Sequence, residues 1–459
     1  MLFSSISFIY FFLPILLIVY FLVPTKLKNI TLLIFSLLFY FLGEPKYIII
    51  LLLSCIMNYV FGNLINKKKN KKLFLILALI YNIGGLLYFK YTDFFIMNTN
   101  SIFNTNLSLM YIVMPIGISF FTFQALGYII DIYNDKHKPA RSLIDFMTYI
   151  CLFPQLIAGP IVRYSDIEIE LKEISTTYSK FSEGIKRFVI GLSKKVLLAN
   201  VLGELAKELI EETVISSWLR PLAYTLQIYF DFSGYSDMAI GLGLMFGFIF
   251  KENFNYPLIA SSITDFWRRW HISLSSWFKD YVYIPLGGNR VNKLKWIRNI
   301  FIVWFLTGFW HGASWNFIIW GLYFGMILCL EKILLKKYLD KTKILKYIYT
   351  SIIIIISFLI FNSNTTNEIF NSLKNMFFLN NLDIINNETI YYLRSYLVLL
   401  IISIISATPL IKNIISKLNQ TKVKRIIEIL EPIIYIILLI LSTAFLIDES
   451  FNPFLYFRF

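Results

Sequence analysis

Long apolar runs recur from one end of this chain to the other, near 5–23, 29–43, 47–65, 109–132, 221–250, 298–323, 346–361, 391–411 and 431–447. They restrict the fold more than any other feature. Hydrocarbon offers no water to backbone N–H and C=O groups, so only helices and closed barrels cross it. Barrel strands read as short alternating segments, whereas these runs are long and unalternating, so they predict helices. Composition agrees: 57% of the 459 residues are hydrophobic and 15% charged, far from a soluble chain. The expected fold is an all-α polytopic membrane protein. The first run has no basic segment before it and no small-residue cleavage site, so it is expected to be a retained span and not a signal peptide. No soluble domain of useful size is visible, and no period of 20–50 residues repeats.

The net charge of +15 is concentrated in loops. Basic loops at 24–28, 66–72, 135–141, 290–298, 331–345 and 412–425 alternate with the Asn-rich stretches 92–108 and 362–390, which carry few charges. Placing the basic loops in the cytoplasm gives a self-consistent alternation of about eleven passes, with both termini outside. The positive excess is first a topology signal and second a hint of anionic lipid or an acidic partner; no motif supports a nucleic-acid role. Cys55, Cys151 and Cys329 are scattered and form neither metal spacing nor an evident disulfide. With only His137, His271 and His311 in the chain, a zinc site is not expected. His137 reads as a solvated loop residue.

Three stretches are irregular. Pro115, Gly117 and Ser119 interrupt the 109–132 run. Residues 144–160 are short and broken by Pro154, Gly159 and Pro160, as in a re-entrant segment, although a short span also fits. Residues 184–212, with Lys186, Arg187, Lys194 and Lys195, read as an interfacial helix or a snorkelling span. Residues 253–290 are too polar to span and too aromatic for a free loop. They predict helices lying on the cytoplasmic face with Trp residues at headgroup level, ending in a turn at Gly287-Gly288-Asn289.

Arg298–Tyr323 is almost wholly apolar except for Thr307, His311, Ser314 and Asn316, and basic residues flank it on both sides about forty residues apart. That is the pattern of a helical hairpin entering and leaving on one side. At about 1.5 Å per residue, His311 lies roughly 18–20 Å from the basic edge, deep in a core about 30 Å thick. An imidazole there needs polar partners or a water-filled cavity, which marks it as functional; the plainer alternative is a packed histidine bonded to a neighbouring carbonyl. Asp231 and Asp237 lie in otherwise apolar sequence. They either orient a histidine or bind donor or acceptor, or they hold helices together. Arg268 and Arg269 suit donor phosphates or lipid headgroups equally.

The motifs F-D-F-S-G-Y-S-D-M-A-I-G-L-G, N-F-N-Y-P, D-F-W-R-R-W-H-I-S-L-S-S-W-F-K-D-Y-V-Y-I-P-L-G-G-N-R and T-G-F-W-H-G-A-S-W-N-F-I-I-W-G-L-Y resemble the membrane-bound O-acyltransferases. The likeness is dense over 113–325. It is greatest to the bacterial alginate O-acetylation branch, with the branch that D-alanylates lipoteichoic acid as the nearest relative. The resemblance implies a ring of helices around a thin centre with a cytoplasmic funnel, in one domain: N-terminal spans (1–110), a motif-bearing core (111–325), C-terminal spans (326–450) and an aromatic tail (451–459). It implies that His311 is catalytic and that His271 is a second important position. Asp231, Asp237, Arg268, Arg269, Trp310 and Asn316 become substrate-binding candidates. The implied reaction is acyl transfer from a cytoplasmic thioester (acetyl-CoA or an acyl carrier protein, with no tightly bound cofactor) to a polysaccharide hydroxyl. The implied partner is an extracellular, membrane-anchored serine transferase of the SGNH-hydrolase type. In the tail F-N-P-F-L-Y-F-R-F, Tyr456 resembles an acyl-relay tyrosine; physically the tail also reads as an interfacial belt. Rival readings are D-alanyl transfer to teichoic acid and a transporter with broken helices.

Overall fold

The computed structural model describes residues 2–157, 159–210 and 212–448, and among them there is helix but no strand. Six helices are long and apolar enough to cross a membrane: Thr25–Gly43, Ile48–Asn66, Lys71–Phe103, Trp315–Leu339, Leu345–Asn362 and Lys424–Asp448. A seventh is obtained if Asn387–Ser395 and Leu397–Ser406, bent by 55°, form one span. Shorter apolar helices occupy Phe8–Leu22 and Ile118–Tyr133. About eleven passes are expected from the sequence, and the difference lies in segments that are short, broken or polar. The chain is a multi-pass membrane protein.

Two compact units divide the chain. The first holds the residues up to Phe188 together with Tyr235–Lys251. The second holds Val189–Gly234 and the residues from Glu252 onward. In the first unit, Phe8, Phe39 and Phe153 form an aromatic core, with Phe39 and Phe153 ring centroids 5.4 Å apart. Tyr235 stacks on Phe3 at 4.6 Å. Helices Ile48–Asn66 and Lys71–Phe103 are joined by reciprocal amide bonds between Asn58 and Asn82, at 3.0 and 2.7 Å. Buried amides of this kind hold apolar helices in register where lipid gives no hydrophobic drive.

Several details of this unit depart from the sequence reading. Helix Lys71–Phe103 runs on through 92–103, so the predicted 92–108 loop begins only at Asn104. Phe94, Phe95, Ile96 and Met97 continue the helical pattern, and Asp93 accepts the Met110 N–H at 2.7 Å. In the 144–160 segment, where the sequence left a re-entrant segment and a short span open, helix Leu143–Cys151 lasts nine residues, about 14 Å, which is too short to cross and sets the short span aside. His137 is half-buried between Tyr128 and Tyr164, at 5.7 and 5.2 Å, and is not simply solvated.

In the second unit the predicted hairpin is present: one arm is Lys293–His311, the other Trp315–Leu330. Gly308 and Gly321 let the arms touch. A Cβ on Gly321 would sit 2.2 Å from the Trp304 carbonyl oxygen, and one on Gly308 would sit 2.3 Å from that of Phe317. Only residues without a Cβ allow this approach. The turn before the hairpin has Gly287 and Gly288 at φ of 98° and 55°, as the sequence requires.

Candidate active site

His311 is the last residue of the first hairpin arm and is 3% exposed. Aromatic rings enclose it: Trp310 at 5.0 Å, Trp320 at 4.9 Å and Phe361 at 5.4 Å between centroids. Trp320 comes from the second arm and Phe361 from helix Leu345–Asn362. Asn316 donates to the Phe361 carbonyl at 2.9 Å, which fixes that wall. Asn316 therefore braces the enclosure through the backbone.

His271 is fully buried, and the Trp310 ring is 6.1 Å from it. The structure thus brings both histidines that the motifs single out beside the same indole. Local folding explains how His271 arrives there. Helix Ile263–Arg269 is N-capped by Ser262, whose Oγ accepts the Asp265 N–H at 3.0 Å. The helix stops at Trp270, and His271 takes a left-handed conformation at φ 43° to start helix Ile272–Phe278. A non-glycine residue there is uncommon and is held by its surroundings. The holder is Asn253. Its carbonyl accepts Ile272 N–H at 2.9 Å, and its Oδ1 accepts from Ser273 N and Oγ at 3.1 and 2.9 Å. Because Ser273 N–H must donate to an oxygen, Oδ1 is the atom facing His271 Nδ1, 3.2 Å away. Nδ1 then carries the proton and Nε2 does not. Burial pushes the His271 imidazole down to about 3, so the ring is neutral at physiological pH. Phe232 meets its face edge-on at 4.7 Å.

The remaining candidates are distributed differently. Asp231 is buried in an ion pair with Lys195 at 2.9 Å, and Lys195 also donates to Asn200 at 2.7 Å. Lys195, expected to be interfacial or snorkelling, is 2% exposed because this carboxylate draws it inward. Asp237 pairs with Arg187 at 2.7 Å in the first unit. Arg269 pairs with Asp265 at 2.8 Å, while Arg268 is exposed. Tyr456 lies outside the described residues. Among the described residues no cluster of His, Cys, Asp and Glu is arranged to hold a metal ion.

The sequence reading missed Glu331, which is 3% exposed. Its two carboxylate oxygens accept Ile263 N at 2.6 Å, Thr264 N at 3.1 Å and Thr264 Oγ1 at 3.0 Å. A carboxylate on the first turn matches the positive end of that helix, so Glu331 fixes the element that delivers His271. It stands at the head of a basic run, and nothing local marks it. Asn253 was visible only as part of N-F-N-Y-P.

Comparison with known proteins identifies the family. The model of the membrane-bound O-acyltransferase family matches residues 111–367, more than half the chain. The chain is 42% identical over 375 residues to a probable alginate O-acetylase, AlgI, of Pseudomonas aeruginosa, covering 79% of this chain and 72% of that protein. It is 37% identical over 423 residues to a peptidoglycan O-acetyltransferase of Helicobacter pylori, covering 83% and 80%. A teichoic acid D-alanyltransferase of Bacillus subtilis is 30% identical over 229 residues, covering 46% and 58%. The chain belongs to the membrane-bound O-acyltransferase family and is a multi-pass membrane O-acyltransferase.

Proposed function

We propose that this enzyme moves an acetyl group from a cytoplasmic thioester, acetyl-CoA or an acyl carrier protein, across the bacterial plasma membrane toward hydroxyls of a cell-surface or secreted polysaccharide. The observation that carries the reading is the enclosed pair His311 and His271 around Trp310, at the far end of a helix that starts in a basic loop. The relatives named for alginate and peptidoglycan O-acetylation support the acetyl group and the glycan acceptor.

In this reading His311 is the general base. It takes the proton of the attacking hydroxyl as the oxygen bonds to the thioester carbonyl; the C–S bond then breaks and the thiolate takes a proton. Such help is worth roughly a hundred- to ten-thousand-fold. His271, held neutral with its Nδ1 proton on Asn253, aligns the donor. The basic loops face the cytoplasm and both termini lie outside. Tyr456, in the outer tail, relays the acyl group as a tyrosyl ester to an SGNH-type serine transferase, so that no free intermediate crosses. No tightly bound cofactor is required.

The test is the O-acyl content of surface polysaccharide, by mass spectrometry after mild base release, in cells carrying wild type, His311→Ala and Tyr456→Phe. Acetate release that falls at least a hundredfold in His311→Ala, at unchanged protein level, is expected. Unchanged acylation in that variant sinks the reading and brings the transporter forward. Unchanged acylation in Tyr456→Phe removes the relay alone and leaves the belt. Released D-alanine would move the enzyme to the teichoic-acid branch, the reading favoured by the Bacillus subtilis relative.

A further inference from the structure

The two arms of the hairpin meet where Gly308 lies against Gly321. His311 comes one turn after the first glycine and Trp320 just before the second. The close approach therefore presses an indole onto the imidazole, with ring centroids 4.9 Å apart at 81°. Trp320 is 1% exposed, and rings surround it: Trp267, Trp304, Phe324 and Phe361 besides His311. Its Nε1–H is buried and has no hydrogen-bond partner. Elsewhere the chain pairs a buried indole: Trp218 donates to the Met376 carbonyl at 2.9 Å. Leaving such a donor unsatisfied costs about 1–3 kcal/mol, and a native protein that keeps one there has a use for it. Trp267 also has an unpaired Nε1, but it packs on Trp304, Trp320 and Phe324, one ring removed from the imidazole.

The acyl-transfer step needs a donor beside the base. As the attacking oxygen bonds to the thioester carbonyl carbon, the carbonyl π pair moves onto its oxygen and makes an oxyanion. When that pair returns, the C–S bond breaks and the thiolate leaves with the proton that His311 took. A fixed N–H in an aromatic enclosure acts at low dielectric, where it stabilises developing charge far more than in water. Whatever admits the carbonyl to His311 admits it to the indole in contact with His311. The competing account is an N–H···π contact on Phe324 or Phe361, whose rings meet the indole at 5.1 and 5.3 Å. That account makes Trp320 a packing residue with no part in the rate.

We propose that the Trp320 Nε1–H is an oxyanion donor: it hydrogen-bonds the thioester carbonyl oxygen as negative charge develops there during attack beside His311. The proposal rests on the thioester-transfer reading and adds to it the group that meets the charge. Because that charge appears only in the transition state, the N–H acts on the maximal rate and not on donor binding.

The test uses the full-length protein in lipid nanodiscs with acetyl-CoA and with an acetyl-loaded carrier protein. Release of free thiol is followed for its maximal rate and for the donor concentration that gives half of it. Trp320→Phe removes the N–H with part of the ring. Benzothienylalanine at position 320, introduced by genetic code expansion, puts sulfur where the N–H was and keeps the ring shape. Both proteins should lose about a hundredfold in maximal rate, with the half-saturating concentration within about threefold of wild type and the melting temperature unchanged. A sulfur isostere that keeps its rate within about threefold of wild type overturns the proposal. So does a loss that appears in half-saturation instead of rate, or one that only follows the folded fraction. His311→Ala separates this failure from that of the underlying reading. If release vanishes in His311→Ala and survives the isostere, Trp320 loses the role and acyl transfer stands. If release persists in His311→Ala, or wild type cleaves neither donor, the acyl-transfer reading falls and the proposal with it.

Discussion

Burial holds His271 neutral down to about 3, whereas its ordinary value is 6.5. Between those values the unfolded chain binds a proton there that the folded chain does not. The contribution to stability is therefore full above pH 6.5 and is lost as pH falls. At pH 5.5 the loss is about 1.4 kcal/mol. Melting temperatures at pH 7.5 and 5.5 should differ more for wild type than for His271→Gln, which lacks the titrating group. An equal acid sensitivity in both would show that other groups carry it. The ion pair of Lys195 and Asp231 gives a second prediction. Asp231→Ala leaves a buried ammonium and should cost about 3–5 kcal/mol, whereas Lys195→Met with Asp231→Leu together should be close to neutral. If Asp231 serves only to hold helices, the double variant melts normally and keeps acetylating. A folded but inactive double variant would return Asp231 to the substrate. Single residues with chemistry foreign to their context, such as His311 in an apolar run, are legible in sequence. Their partners are not: Asp231 and Lys195 are 36 positions apart, and nothing in either neighbourhood names the other.

At the scale of elements, the site depends on short helices that are stable only where they are clamped. Helix Ile263–Arg269 has seven residues and cannot persist alone in water. Glu331 and Ser262 satisfy its first N–H groups. Glu331→Ala should cost about 1–3 kcal/mol through orphaned donors. It should also lower acetyl transfer more than it lowers the melting temperature in the working range, because His271 loses its placement. Glu331→Gln keeps one oxygen acceptor and should restore part of both. Equal activity per folded molecule in all three proteins would show that Glu331 only stabilises. The hairpin and the Gly287-Gly288 turn follow from local pattern and were readable. The left-handed turn at His271 was not, because it is imposed by Asn253, a residue eighteen positions earlier.

For the whole molecule, charge asymmetry rather than packing sets orientation, and it yields a test within the second unit. Lys293 and Lys337 are exposed at the basic ends of the hairpin, and Asn371 is exposed in helix Thr366–Met376, beyond the other end of helix Leu345–Asn362. Keeping Lys and Arg on the cytoplasmic side puts positions 293 and 337 inside and 371 outside. The three native cysteines are buried, so a cysteine introduced at an exposed position is the dominant target for a membrane-impermeant maleimide. In intact cells Asn371→Cys should label and Lys293→Cys and Lys337→Cys should not; in inverted vesicles the pattern should reverse. After the opposite result the proposed direction of acyl movement would fall, while His311 would keep its chemistry. Labelling of all three from outside would mean that helix Leu345–Asn362 does not cross, and the assignment of sides would fail with it.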